Sequence, residues 1–198
     1  MGTPQSGAKV ALRDQLLTAR NARPLLERAE VARALAEHLL AAPEVRRAAT
    51  VAAYVALGSE PGTAPLLSGL VAAGKRVVLP VLLPDRDLDW AVFTGDDDLV
   101  PARLGLLEPA GPRLGVEAVA TADAVLVPGL AVSPDGARLG RGGGSYDRAL
   151  ARVPVGTFTC ALLHDDEVGL AVPVDPHDRP VTAAASPSGL RRFRPTGG

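Results

Sequence analysis

A three-layer, Rossmann-like α/β fold, with a mostly parallel central sheet flanked by helices, follows from three features of this sequence. Helical and strand-like stretches alternate, which implies parallel pairing through right-handed crossovers. The chain has 198 residues and is 47% hydrophobic, enough for one well-filled core, so a single domain over 1–198 is expected. An apolar run, Ala124 to Val127, reads as a buried strand and leads into a glycine-rich loop and then a helix start.

Each element has a local reason. Lys9 to Ala19 carries Val10, Leu12, Leu16 and Leu17 at helical spacing. Pro24 suits the first turn of a second helix reaching about Ala41, with Leu25, Leu26, Ala29, Ala32, Leu35, Ala36, Leu39 and Leu40 as its apolar face. Thr50 to Leu57 reads as a strand, Thr63 to Ala73 as a helix closed by Gly74, and Arg76 to Leu83 as a strand. Asp89 to Thr94 is a short strand containing Trp90, and Asp96 to Asp98 a turn. Asp123 to Pro128 is a central strand, Ser145 to Arg152 a helix, Val155 to Leu163 a strand and Val181 to Ala185 a last short one. Residues 1–8 and 186–198 are expected to be flexible tails. In such a fold the ligand is expected at the carboxyl ends of the strands.

Composition narrows the partners. The formal charge is −1, so no general polyanion surface is implied and nucleic acid is not expected as a partner. No stretch approaches the ~18 apolar residues of a membrane span, and the N-terminus lacks the apolar core of a signal peptide. Met1 to Ser6 fits a myristoylation pattern, but so short a match is easily met by chance. The only cysteine, Cys160, lies in an apolar run. It reads as a core residue, and the absence of any possible internal disulfide fits a reducing, cytoplasmic location. A monomer is expected.

The loop after the central strand is the chemically informative segment. Gly136, Gly140, Gly142, Gly143 and Gly144 surround Arg138 and Arg141, and Ser145-Tyr146-Asp147-Arg148 begins a helix. Glycines let backbone N–H groups approach a ligand, and N–H groups at a helix N-terminus form an anion site. Two guanidinium groups add fixed positive charge. A polyphosphate is the natural partner, although the segment is neither a Walker A loop nor a dinucleotide fingerprint.

The stretch RLGRGGGSYDR, Arg138 to Arg148, resembles the signature loop of the 5-formyltetrahydrofolate cyclo-ligase (methenyltetrahydrofolate synthetase) family. Lys9 to Arg13 is similar to that family's K-x-x-L-R, Gly105 to Pro109 to its G-I-x-E-P, and Pro173 to Asp178 to its P-x-x-x-H-D. The resemblance runs in the same order over nearly the whole chain. It implies an ATP- and Mg²⁺-dependent ligase that converts 5-formyltetrahydrofolate, a reduced folate, to 5,10-methenyltetrahydrofolate with release of ADP and phosphate.

The resemblance also implies roles. Lys9 and Arg13, four residues apart on one helix face and otherwise readable as solvated cations, would reach the nucleotide phosphates. Arg138, Leu139, Gly140, Arg141, Gly142, Gly143, Gly144, Ser145 and Tyr146 would complete the ATP site. Asp147, which alone reads equally as an electrostatic helix cap, and Asp178 would hold magnesium. His177 would orient its neighbours. Arg141, Tyr146 and Asp147 would be catalytic. Leu57, Glu60, Trp90 and Ser145 would contact the folate, although Leu57 and Trp90 also suit a core. Glu108 reads as terminating an element. The chain departs from the family at His164, where an aromatic is usual, at Glu167, where glutamine is usual, and at Ser145, where the family carries a first tyrosine. A serine there keeps a good N-terminal helix residue and removes an aromatic face. A non-catalytic nucleotide or folate sensor, or a sugar-phosphate isomerase, is the alternative function.

Overall fold

The computed structural model describes the backbone of residues 4–193 and side chains from residue 7 onward. Helix α1 spans Pro4–Asn21, α2 Leu25–Ala41 and α3 Pro43–Arg47. Strand β1 (Thr50–Ala52) leads to α4 (Ala64–Ala72), β2 (Arg76–Leu82) and β3 (Leu88–Phe93). A small hairpin of β4 (Leu99–Pro101) and β5 (Leu107–Pro109) precedes β6 (Ala124–Pro128). A second pair, β7 (Ala131–Val132) and β8 (Arg138–Leu139), leads into α5 (Ser145–Arg152), β9 (Phe158–Leu162), β10 (Ala183–Ser186) and β11 (Gly189–Arg192).

Seven strands form one sheet in the order β11-β10-β9-β6-β1-β2-β3. The five from β10 to β2 run parallel, and β3 and β11 close the edges antiparallel. Successive residues face opposite layers. Val51, Val77, Leu79, Leu126 and Leu162 pack toward α2 and α4, whereas Ala52, Val78, Val125, Val127 and Ala161 pack toward α5 and the short 3₁₀ segment Val116–Thr121. Leu35, Leu39 and Leu70 have no exposed surface; burying each contributes about 1.5–3 kcal/mol. Strand order reverses between β1 and β6, since the chain steps outward to β2 on one side and to β9 and β10 on the other. A ligand crevice belongs at the carboxyl ends of those two strands.

Several boundaries differ from the sequence expectation for identifiable reasons. The expected strand over 50–57 is shorter, Thr50–Ala52 with a last cross-strand bond from the Ala53 N–H to the Val78 carbonyl (3.0 Å), and beyond it the N–H groups of Ala56 and Leu57 turn to Thr63 Oγ1 (2.9 Å) and Glu60 Oε2 (2.8 Å). The strand expected from Val155 begins at Phe158, after a turn that leaves Val155 fully exposed. Leu25 and Leu26 lie outside the buried stripe of α2 at 81% and 71% exposure. Neither expected tail is free over its described part. Helix α1 already starts at Pro4, and β11 pairs with β10, placing Phe193 in the core. Residues 1–3, the first half of the myristoylation pattern, and 194–198 lie outside the described residues. Among the described residues no helix is long and apolar enough to cross a membrane. Cys160 is fully buried, and burial pushes its thiol pKa up, so it is an inert core residue.

Candidate functional site

The glycine loop is a wall shared by two cavities. On one side lies an apolar chamber bounded by Tyr54, Val55, Leu57 and Glu60 after β1, Pro80 and Leu82 on β2, Leu88 on β3, and Pro128 and Gly129 after β6. Leu106, Leu107 and Glu108 of the β4–β5 hairpin close it from above. On the other side lies a polar cleft lined by Lys9, Arg13, Arg148 and Arg179 with Asp175, His177 and Asp178. Arg138, Gly140, Gly142, Gly143, Gly144 and Asp147 line both. Gly144 adopts φ 72° immediately before α5, a left-handed turn that glycine makes without strain and that frees the first N–H groups of the helix.

Of the expected phosphate-binding cations, Lys9, Arg13 and Arg138 line the cleft, whereas Arg141 lines the chamber. Lys9 is buried and donates to Asp175 and Asp178, both at 2.6 Å. Burial opposes its charge, yet the two carboxylates raise its pKa overall. Arg13 donates from Nε to the Gly140 carbonyl at 2.8 Å, and its guanidinium lies against Gly142. Arg138 differs from expectation: it is buried, giving Nη1 to the Pro128 carbonyl (3.0 Å) and Nη2 to Asp147 Oδ1 (3.1 Å). It orders the protein rather than offering an open fork. Leu139 turns its side chain into the small core beneath α1 and offers only backbone to the cleft. Arg141 is half-exposed and reaches across the chamber mouth to Glu60 Oε1 at 3.1 Å.

Asp147 and Asp178, the expected magnesium pair, both line the polar cleft. Asp147 accepts from Arg138 and from the Arg179 N–H (3.2 Å) through Oδ1 alone. Asp178 accepts from Lys9 and the Asp175 N–H (2.7 Å) through Oδ2. Each keeps one oxygen without a hydrogen-bond partner among the described residues. The tightest cation-compatible group is Asp175, His177 and Asp178, whose ligand atoms lie within 4.8 Å of one another, and Asp147 lies outside it. His177 is exposed, and at 3.8 Å its Nε2 is beyond hydrogen-bond reach of Asp178. Free carboxylate oxygens beside a polyphosphate-sized cleft suit a hard cation that keeps several waters, as Mg²⁺ does.

Trp90 does not reach the site. It is 1% exposed, paired opposite Pro80 and packed in the layer under α5. The aromatic walls are instead Tyr54 and Tyr146, set edge to face with centroids 6.5 Å apart, while Arg138 sits 5.9 Å from the Tyr146 ring centre. Burial pushes both phenol pKa values up, so the two rings stay neutral and serve as walls, and the buried Tyr54 hydroxyl has no hydrogen-bond partner among the described residues. Tyr54, Glu108, Asp175, Arg148 and Arg179 were not legible as site residues. Tyr54 carried only a weak signal, an aromatic within the stretch read as the first strand. Glu108 does more than end an element, since its Oε1 accepts from the Leu82 N–H at 2.9 Å beside the chamber.

A model of the 5-formyltetrahydrofolate cyclo-ligase family matches residues 5–187. The chain is 43% identical to a 5-formyltetrahydrofolate cyclo-ligase of Mycolicibacterium smegmatis over 143 residues, covering 70% of this chain and 73% of that one. It is 34% identical to the enzyme of that name from Escherichia coli, covering 80% and 89%. The solution structure of Aquifex aeolicus 5,10-methenyltetrahydrofolate synthetase superposes with a TM-score of 0.81 at 27% identity, covering 96% of this chain and 95% of that one.

Proposed function

The chain belongs to the 5-formyltetrahydrofolate cyclo-ligase family, and from that premise we propose how its two cavities divide the work. The protein is a ligase that cyclises 5-formyltetrahydrofolate to 5,10-methenyltetrahydrofolate. The folate ring takes the apolar chamber, between Tyr146 and Tyr54 on one side and Leu82 and Leu88 on the other. ATP takes the polar cleft, its phosphates toward Arg13, Arg148 and the N–H groups at the start of α5. The observation that carries this reading is the glycine loop itself. As the wall common to an apolar chamber and a cationic cleft, it is where a formyl group and a terminal phosphate can meet.

The formyl oxygen attacks the γ-phosphorus and ADP departs. N10 then attacks the activated carbon, the C–O bond breaks, phosphate leaves and N10 loses its proton. No protein nucleophile takes part. Arg141 exchanges Glu60 for phosphate oxygens, which frees the Glu60 carboxylate to accept from the pterin N–H groups. Arg138 holds Asp147 in place, and Asp147 and Asp178 would hold magnesium, whose role when bound is to neutralise phosphate charge. Catalysis is then positioning and charge compensation. The test is the near-ultraviolet rise of methenyltetrahydrofolate when ATP, magnesium and 5-formyltetrahydrofolate are mixed with the protein. Omitting ATP or magnesium should abolish it, and folded protein that binds ATP without this turnover would overturn the reading.

A further inference from the structure

We propose that Arg20, which lines neither cavity, is a positioning residue: with Glu167 it pins the end of β6, and through that backbone it sets Arg138 against Asp147. This rests on the division of labour just described.

Arg20 and Glu167 form an ion pair that stability alone does not explain. The Arg20 and Glu167 side chains are 0% and 1% exposed. Nε donates to Oε1 and Nη2 to Oε2, both at 2.7 Å, and the His164 N–H adds a third donor to Glu167 at 2.9 Å. Two apolar side chains of similar volume would commonly stabilise such a position as well or better. What the pair does that they could not is hold a carbonyl, since Arg20 Nη2 also donates to Gly129 O at 2.6 Å. Gly129 lines the chamber directly after β6, and the Arg138 stem packs over it, with Cγ 3.4 Å from where a Cβ would stand. Arg138 takes the preceding carbonyl, Pro128 O, at 3.0 Å and Asp147 at 3.1 Å. Two consecutive carbonyls at the reversal of strand order are thus gripped by arginines from different elements, one grip buried and the other at the reacting centre. Lys9, Arg13 and Arg20 project from one stripe of α1, so that helix clamps the Asp175–Asp178 turn, Gly140 and Gly129 together.

The experiment replaces the pair without stranding a charge, as Arg20→Met with Glu167→Met. The double variant should still unfold cooperatively, with a midpoint lowered because the buried Gly129 carbonyl and His164 N–H lose their partners. Its kcat should fall by up to about 100-fold, the cost that misplacement by about 1 Å can carry, and the magnesium needed for half-maximal rate should rise. A folded double variant with native kcat and magnesium dependence would overturn the proposal. Should that variant not fold, Arg20→Lys keeps the charge but not the fork that spans Glu167 and Gly129; native kcat in that variant would overturn the proposal equally. Amide hydrogen exchange gives a readout independent of turnover. Exchange over residues 138–147 should quicken in either folded variant, and unchanged exchange would refute the pin even if the native protein failed the folate assay.

Discussion

Arg141 and Ser145 are the residues whose chemistry is most open to test. Arg141 is 44% exposed, so its contact with Glu60 contributes little to folding. In the proposed mechanism its value lies with phosphate, where a charge-assisted hydrogen bond contributes about 1.5–3 kcal/mol. Arg141→Ala should therefore weaken ATP binding about 10–200-fold in calorimetric titration while leaving the unfolding midpoint nearly unchanged; native affinity would remove Arg141 from the phosphate site. Ser145 lines the chamber beside Tyr146. Ser145→Tyr should add an aromatic contact of about 0.5–1.5 kcal/mol and lower the folate KM about 2–13-fold with the ATP constant unmoved. A folate KM that stays or rises would mean the pocket is shaped around serine.

At the scale of elements, the glycine loop, α5 and the parallel strands were legible because their signals are local: apolar runs, turn residues and helical spacing. The final hairpin was not, because four residues of strand after a Ser-Pro-Ser-Gly turn carry little periodicity. It forms because β10 offers a free edge and Phe193 finds a seat against Gly136. Gly136 has φ 92°, and a Cβ there would stand 2.5 Å from the Val181 carbonyl. Gly136→Ala should therefore cost more than about 1 kcal/mol, lowering the thermal midpoint by at least about 2–4 °C without altering ATP affinity. An unchanged midpoint would show that this turn relaxes freely.

Across the whole molecule, the buried network around α1 predicts how stability depends on pH. His164 is 2% exposed, and neither ring nitrogen has a hydrogen-bond partner among the described residues. Burial lowers its pKa from the ordinary 6.5, with Glu167 opposing and Arg23 and Arg20 reinforcing the shift. The unfolded chain then takes up a proton that the folded one refuses. Stability is full above about pH 6.5 and falls as the pH drops toward the folded-state pKa. A second loss follows at lower pH, as Asp87, whose pKa is lowered by Arg152, and Glu44, lowered by Arg192, become protonated. Urea midpoints measured from pH 8 to pH 5 should show the first step, and His164→Phe should flatten it. A step of equal size in the variant would assign it to other groups.

The sequence by itself determined the layered fold, the succession of strand, loop and helix, and the glycine loop that walls both cavities, because hydrophobic periodicity and glycine placement act over a few residues. Resemblance along four short segments added the chemistry. Only the tertiary structure decided which cations are free and which are bound. Lys9 meets Asp175 and Asp178, and Arg20 meets Glu167, across 147 or more positions of chain, a separation no local pattern encodes. The same holds for the aromatic walls. Trp90 and Tyr54 both lie on or just beyond strands, but strand order sends Trp90 into the core and leaves Tyr54 at the reversal where the chamber opens. Which face a side chain serves is set by the neighbours the sheet brings beside it, and those neighbours come from distant parts of the chain.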